Sequence, residues 1–68
     1  MIKTYLKVYG SEENEMLIKH DIVESIFFRY SDYDIRLIAK TIDGEEYLIE
    51  AAKDIKALLP IFEKLEKL

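Results

Sequence analysis

One cluster in the 68-residue sequence has the side chains needed for acid–base chemistry. His20 and Asp21 are adjacent and Glu24 follows shortly after, and a histidine beside a carboxylate can act as a general base. Adjacent residues of a strand point to opposite faces of a sheet, however, and no nucleophile accompanies this cluster. We therefore interpret it as a polar turn, and we predict that the protein is not an enzyme.

Two further features resemble ligand sites without having the required spacing. The acidic segment 12–15 could bind a hard cation, but the spacing and the glycine of a calcium-binding loop are missing. Gly10 and Gly44 are isolated, so they do not form a glycine-rich loop that cradles phosphate. The chain has no cysteine and one histidine, which argues against thiolate and histidine-rich metal sites. We predict neither a metal nor another cofactor.

The composition predicts one small domain that spans residues 1–68. Hydrophobic residues make up 50% and charged residues 35% of the chain, which is typical of globular proteins and too apolar for disorder. The net charge of −4 does not favour nonspecific binding to nucleic acid or anionic lipid. No apolar run approaches the ~18 residues of a membrane span, and the alternating N-terminus lacks a signal peptide's apolar core. We expect a cytoplasmic protein that has no membrane partner.

The register of a β-hairpin can be read from residues 33–50. Two alternating stretches flank the segment 42–44, and a three-residue loop with Gly44 in the left-handed conformation pairs Thr41 with Glu45. From this loop outward, the predicted pairs are Lys40–Glu46, Ala39–Tyr47, Ile38–Leu48, Leu37–Ile49 and Arg36–Glu50. One face of the hairpin is then apolar, and the other carries opposite-charge pairs around an apolar pair.

The other strands are predicted from the alternation of apolar and polar residues. Residues 2–9 and 22–30 each alternate as a half-buried strand. A loop after residue 30 that preserves the side-chain parity pairs Arg29 with Asp34 and Ile26 with Leu37. Residues 15–21 have two interpretations: a short strand followed by a turn, which we favour, or a helix that begins at Ser11.

Residues 51–68 change to a helical period. The apolar stripe consists of Ala51, Ile55, Leu58, Leu59, Phe62 and Leu65. Pro60 lies inside this segment and removes one backbone hydrogen bond, which predicts either a bend around the sheet or a break into two helices. The sequence therefore predicts an α+β fold: an antiparallel β-meander of four or five strands followed by one C-terminal helix packed on one face.

The helix and one face of the sheet should enclose the core. Its predicted members are Leu6, Val8, Ile26, Phe28, Ile35, Leu37, Ala39, Tyr47, Ile49, Ile55, Leu59, Phe62 and Leu65. One helix covers only one face, so an apolar patch of Val23, Phe27, Ile38 and Leu48 should remain on the outer face. Contiguous exposed apolar patches mark partner surfaces. We predict a small protein-interaction module that binds itself as a homodimer, or another protein, through this patch.

The same outer face suggests an alternative function. It combines basic and aromatic side chains, namely Lys3, Tyr5, Lys7, Tyr9, Arg36 and Lys40. Proteins bind single-stranded nucleic acid with this mixture, because cations follow the phosphates and rings stack on the bases. The acidic net charge and the facing carboxylates make nucleic acid the less favoured partner.

Overall fold

Five antiparallel strands form one sheet, and a single helix packs on one of its faces. The computed structural model describes residues 5–10 and 14–66. The elements are β1 (Tyr5–Tyr9), β2 (Glu15–Lys19), a 3-10 turn (His20–Ile22), β3 (Val23–Tyr30), β4 (Ile35–Thr41), β5 (Glu46–Ala52) and α1 (Ile55–Glu66). The predicted α+β class is confirmed, and the segment 15–21 forms the favoured strand and turn.

The strands lie in the order β2-β1-β5-β4-β3. The β1–β2 hairpin joins the meander of β3, β4 and β5 where Tyr9 pairs with Leu48. β1 is therefore an internal strand, and β2 and β3 form the two edges of the sheet. Leu6 and Val8 of β1 are buried, as the alternation predicts. The first residues of the predicted strand lie outside the described residues.

The turn between β4 and β5 has the predicted geometry. The Thr41 N–H donates to the Glu45 carbonyl at 2.8 Å, and Gly44 has a φ of 91°, in the left-handed region that favours glycine. The buried Thr41 hydroxyl donates to the Asp43 carboxylate, and it accepts a hydrogen bond from the Glu45 N–H at 3.1 Å. The hydrogen bond from Thr41 lowers the pKa of the Asp43 carboxyl below its usual value.

The predicted β4–β5 register is right near the turn and wrong beyond it. The three confirmed pairs are Lys40–Glu46, Ala39–Tyr47 and Ile38–Leu48. Ile49 then enters β5 as an extra residue in a β-bulge. Leu37 consequently lies opposite Glu50 instead of Ile49, and Arg36 lies opposite Ala51 instead of Glu50. The bulge lets both Leu37 and Ile49 remain buried in the core.

The β3–β4 register also differs from the prediction. Arg29 lies opposite Arg36 rather than Asp34. The cause is the position of the turn: the Ser31 N–H donates to the Asp34 carbonyl at 3.0 Å, so the two-residue loop is 32–33 and its centre lies one residue later than the predicted pairs require. The side-chain faces are nevertheless those predicted, because a shift of two residues preserves parity.

A second bulge, at Glu24, alters the start of β3. The register shifts between Val23, which pairs with Thr41, and Ser25, which pairs with Lys40. Val23 thereby shares a face with the buried Thr41 and packs against the core. The prediction that Val23 borders the outer patch is therefore wrong, because strict alternation fails across a bulge.

Helix α1 begins at Ile55, whereas the predicted helical period begins at residue 51. The difference arises because Ala51 and Ala52 belong to the end of β5. Asp54 caps the helix: its Oδ1 accepts a hydrogen bond from the Lys56 N–H at 3.0 Å. Pro60 lies exposed inside one unbroken helix. Of the two outcomes predicted for this proline, the break into two helices does not occur.

The core lies between the inner sheet face and α1. Its buried cluster consists of Leu6, Val8, Ile18, Leu37, Ala39 and Ile49. The Phe28 and Phe62 rings, whose centroids are 5.1 Å apart, join β3 to the helix. Leu58 is completely buried while Leu59 is 39% exposed. The prediction that Leu59 belongs to the core is therefore wrong, and Leu58 takes that place.

Candidate protein interface on the outer sheet face

Four apolar side chains line up across the sheet face opposite α1. The strand registers pair Tyr9 with Leu48, and Leu48 in turn with Ile38. Ile38 is also paired with Phe27 on its other side. Directly opposed residues on one face of a sheet have Cβ atoms only about 4.5–5.5 Å apart. These four residues, called the outer apolar row, therefore form a continuous strip over β1, β5, β4 and β3.

An ion pair bridges the sheet above β4. The Arg29 Nη1 and Nη2 donate to Glu46 Oε1 and Oε2 at 2.8 and 3.3 Å. Since β4 lies between β3 and β5, this pair connects two strands that are not neighbours. The Arg29 guanidinium carbon also lies 5.4 Å from the centre of the Phe27 ring, in cation–π range. Ile38, the β4 member of the outer apolar row, is only 6% exposed.

The bidentate geometry keeps both partners of this bridge charged. The hydrogen bond from Arg29 lowers the pKa of the Glu46 carboxyl below its usual value. The same bond raises the pKa of Arg29. The bridge crosses the outer apolar row above Ile38. Both of its side chains are largely exposed to solvent, so it is not a source of large stability.

An open depression of about 480 Å³ lies beside the β1–β5 half of the outer apolar row. Tyr9 and Leu48 supply apolar lining, and Arg36 and Glu46 supply charged lining. The Arg36 Nε lies 3.4 Å from Asp34 Oδ1. The carboxylates of Asp34 and Glu46 in this lining oppose a phosphate chain. Charged groups of both signs beside an apolar surface suit a protein partner better.

The side chains predicted for nucleic-acid binding have acidic neighbours. The outer face carries Tyr5, Lys7, Tyr9, Arg36 and Lys40, and Lys3 lies outside the described residues. The Lys7 Nζ lies 3.8 Å from Glu15 Oε2, and Lys40 lies opposite Glu46. Paired carboxylates reduce the positive potential that a phosphate backbone would meet.

The structure brings together three of the four predicted interface residues. Phe27, Ile38 and Leu48 are consecutive members of the outer apolar row, whereas Val23 faces the core. The predicted exposure of this patch is wrong for Ile38, which is buried, and Phe27 and Leu48 are half-buried. Sequence reasoning missed Tyr9 as the fourth member. Its orientation follows from alternation, but the position of β1 beside β5 has no signal in the sequence.

Of the predicted acid–base cluster, His20 and Glu24 line the same depression of about 190 Å³. His20 Nε2 is buried without a hydrogen-bond partner in the described residues, while Asp21 and Glu24 are exposed. Glu12 and Glu13 of the acidic segment lie outside the described residues. Within residues 5–10 and 14–66, no group of three or more histidine or carboxylate side chains is arranged to hold a metal. The helix of this same part of the chain is too short and too polar to cross a membrane.

Comparison with known proteins identifies no relative. No family model, no curated protein and no solved structure matches the chain. Function is therefore inferred from the outer apolar row and from the charged residues at its border.

Proposed function

We propose that this protein is a non-enzymatic interaction module that self-associates through the outer apolar row. The observation that carries the proposal is the register itself, which aligns Tyr9, Leu48, Ile38 and Phe27 across four strands on the face that α1 leaves uncovered. Apolar side chains in one strip, bordered by charged residues, have the arrangement of a protein interface with an apolar centre and a polar rim.

A second copy fits this face because the border carries both signs of charge. Arg29 and Glu46 bridge across β4, and Arg36 and Asp34 form a second pair at the depression. Two such faces related by a two-fold axis can exchange these ion pairs without leaving a charge unpaired. A domain of this size without cysteine also gains stability from a second copy. As part of the proposal we assign the protein to the cytoplasm, and a chain without cysteine is compatible with that reducing compartment.

Binding of single-stranded nucleic acid is the weaker hypothesis. It requires basic residues that are free to meet phosphates, and Lys7, Arg29 and Arg36 each have a carboxylate within 4 Å. Such binding would also weaken steeply as salt is added. Labelled mixed-sequence single-stranded DNA, titrated at low and at moderate salt, tests this hypothesis directly.

The test compares two lysine substitutions that change the net charge equally. Leu48→Lys places an ammonium group within the outer apolar row, and Leu59→Lys places one on the exposed side of α1. We expect Leu48→Lys to weaken self-association about tenfold or more, and Leu59→Lys to leave it unchanged. Light scattering over a concentration series gives the masses, and circular dichroism checks that both variants fold.

Equal masses for the wild type and a folded Leu48→Lys variant, in an associating protein, would overturn the proposal. A wild-type chain that stays monomeric, but gains mass with single-stranded DNA at low salt, would favour the nucleic-acid hypothesis instead.

A further inference from the structure

β3 is an edge strand, and the backbone groups on its free side belong to three uncharged residues. Ser31 is hydrogen-bonded to Asp34 across the hairpin, and hydrogen-bonded pairs alternate along an antiparallel ladder. The N–H and C=O groups of the odd residues of β3 therefore point to β4. Those of Ile26, Phe28 and Tyr30 point away from the sheet, where β3 has no neighbouring strand.

The opposite edge of the sheet differs in length and in charge. β2 has five residues and β3 has eight. The Gly10 N–H donates to Asn14, so the same alternation places the free backbone groups of β2 at Glu15, Leu17 and Lys19. Charged residues on an edge strand discourage pairing with another chain. The three corresponding residues of β3 have no charge.

A second depression lies under the β3 edge, on the inner face. It has a volume of about 190 Å³. Val23, Ile26 and Leu65 supply its apolar lining, and the polar lining comes from His20, Glu24, Ser25 and Glu66. Ile26 and Leu65 are only half-buried although both pack against the core. Tyr30 lies on the same face of β3 as Ile26 and is 67% exposed. One end of the strand thus has an open hollow with both apolar and polar lining. The other end has an uncovered tyrosine, whose side chain combines an apolar ring with a polar hydroxyl.

We infer that two copies of this chain pair antiparallel along β3, with Phe28 on the two-fold axis. In this register, Tyr30 of the second copy lies opposite Ile26 and places its ring on the inner face, at the 190 Å³ depression. The exchange is reciprocal, so both rings and both hollows are used. The bulge at Glu24 interrupts the regular backbone pairing of β3, so a second strand can pair only with the regular residues 25–30. This restriction selects the register with Phe28 on the axis.

The side chains of the seam are compatible with this pairing. The two Phe28 rings meet at the axis, each already in contact with Phe62. On the outer face, Phe27 of one copy lies opposite Arg29 of the other, as a cross-strand cation–π pair. Acidic residues, Glu24 and Asp32, face each other at both ends of the seam, so that moderate salt should favour the pairing.

This contact is separate from the outer apolar row and goes beyond the proposed function. Edge pairing extends the sheet to ten strands about a two-fold axis normal to it, while association through the outer face uses a two-fold axis that lies parallel to the sheet, between the two faces. With these two perpendicular axes intersecting, the two contacts generate a closed assembly of four copies. Loss of either contact alone should leave a dimer.

The test uses Tyr30→Pro and Tyr30→Ala, with Tyr33→Ala as the control. The proline removes an N–H that points away from the sheet, so the monomer should tolerate it. The alanine variant removes only the ring, and Tyr33 is an even more exposed tyrosine, 85% against 67%, in the loop that follows β3. We expect both Tyr30 variants to halve the mass of the assembly and Tyr33→Ala to leave it unchanged.

Amide hydrogen exchange identifies the strand that pairs. The Ile26, Phe28 and Tyr30 amides should exchange at least about tenfold more slowly than the Leu17 and Lys19 amides of the β2 edge. For the Ile26 and Phe28 amides, the difference should disappear in Tyr30→Pro, which has no amide hydrogen at residue 30. Fast exchange of all three β3 amides in the associated protein would overturn the inference.

The two interfaces fail in distinguishable ways. If Leu48→Lys lowers the mass while the Tyr30 variants do not, the edge pairing is refuted and the proposed function stands. If only the Tyr30 variants lower it, the outer-face proposal is refuted and the edge pairing stands. A monomeric wild type at all concentrations would overturn both.

Discussion

Two adjacent leucines of α1 provide a matched test of how the helix lies on the sheet. Leu58 is completely buried and Leu59 is 39% exposed, so the same change at the two positions removes very different contacts. Substitution by alanine has the same small effect on helix propensity at both sites. The difference between the two variants therefore measures packing alone.

The expected magnitudes follow from the two exposures. Replacing a fully buried leucine by alanine costs about 2–5 kcal/mol, from lost transfer free energy and from the cavity left behind. For Leu59→Ala we expect about 1 kcal/mol or less, because water already reaches much of that side chain. A chain of 68 residues has a total stability of roughly 3–10 kcal/mol. Leu58→Ala should therefore remove a large share of the total.

Urea denaturation followed by circular dichroism gives both free energies of unfolding. Thermal melts should agree, with Leu58→Ala lowering Tm by about 8 °C or more and Leu59→Ala by no more than a few degrees. If Leu58→Ala does not fold, Leu58→Val provides a milder truncation at the same site. A Leu59→Ala variant that is destabilised as much as Leu58→Ala would refute the assigned orientation of the helix.

Two further predictions concern the β4–β5 turn and the bridge across the sheet. Gly44→Ala should lower the free energy of unfolding by about 1–2 kcal/mol in urea denaturation, because the φ of 91° at this position is unfavourable for a residue with a Cβ. Gly44→Asn should lower it by less. An alanine variant as stable as the wild type would contradict the turn geometry. The pKa values of Asp43 and Glu46 are lower in the folded chain than their ordinary values. The stabilisation from these two carboxylates is therefore present above about pH 4–5 and is lost as the pH falls through their folded pKa values. Tm should therefore fall with acidification, and it should fall less in Asp43→Asn or Glu46→Gln; unchanged pH dependence in both variants would contradict this assignment.

The parts of the fold governed by local chemistry could be predicted from the sequence. The φ required at Gly44 set the loop length, and the loop set the first pairs of the β4–β5 hairpin. Binary alternation oriented β1 and most of β3. Phe27, Ile38 and Leu48 were therefore correctly predicted to be neighbours on the outer face.

The errors arose at two β-bulges, where one extra residue in a strand shifts the register of every later pair. The bulges at Glu24 and Ile49 each insert one residue into a strand, and the residue types at these positions do not mark the insertion. The first bulge moved Val23 to the core, and the second displaced the charge pair predicted for Arg36. The place of β1 depends on a long-range pairing, which also explains why Tyr9 was missed as an interface residue.

Sedimentation equilibrium of the wild type and of Leu48→Lys, at matched concentrations and moderate salt, tests most directly whether the outer apolar row is an interface. The predicted result is an associated wild type and a folded variant of half that mass, with single-stranded DNA changing neither. A folded Leu48→Lys variant that keeps the wild-type mass would contradict the role assigned to this face.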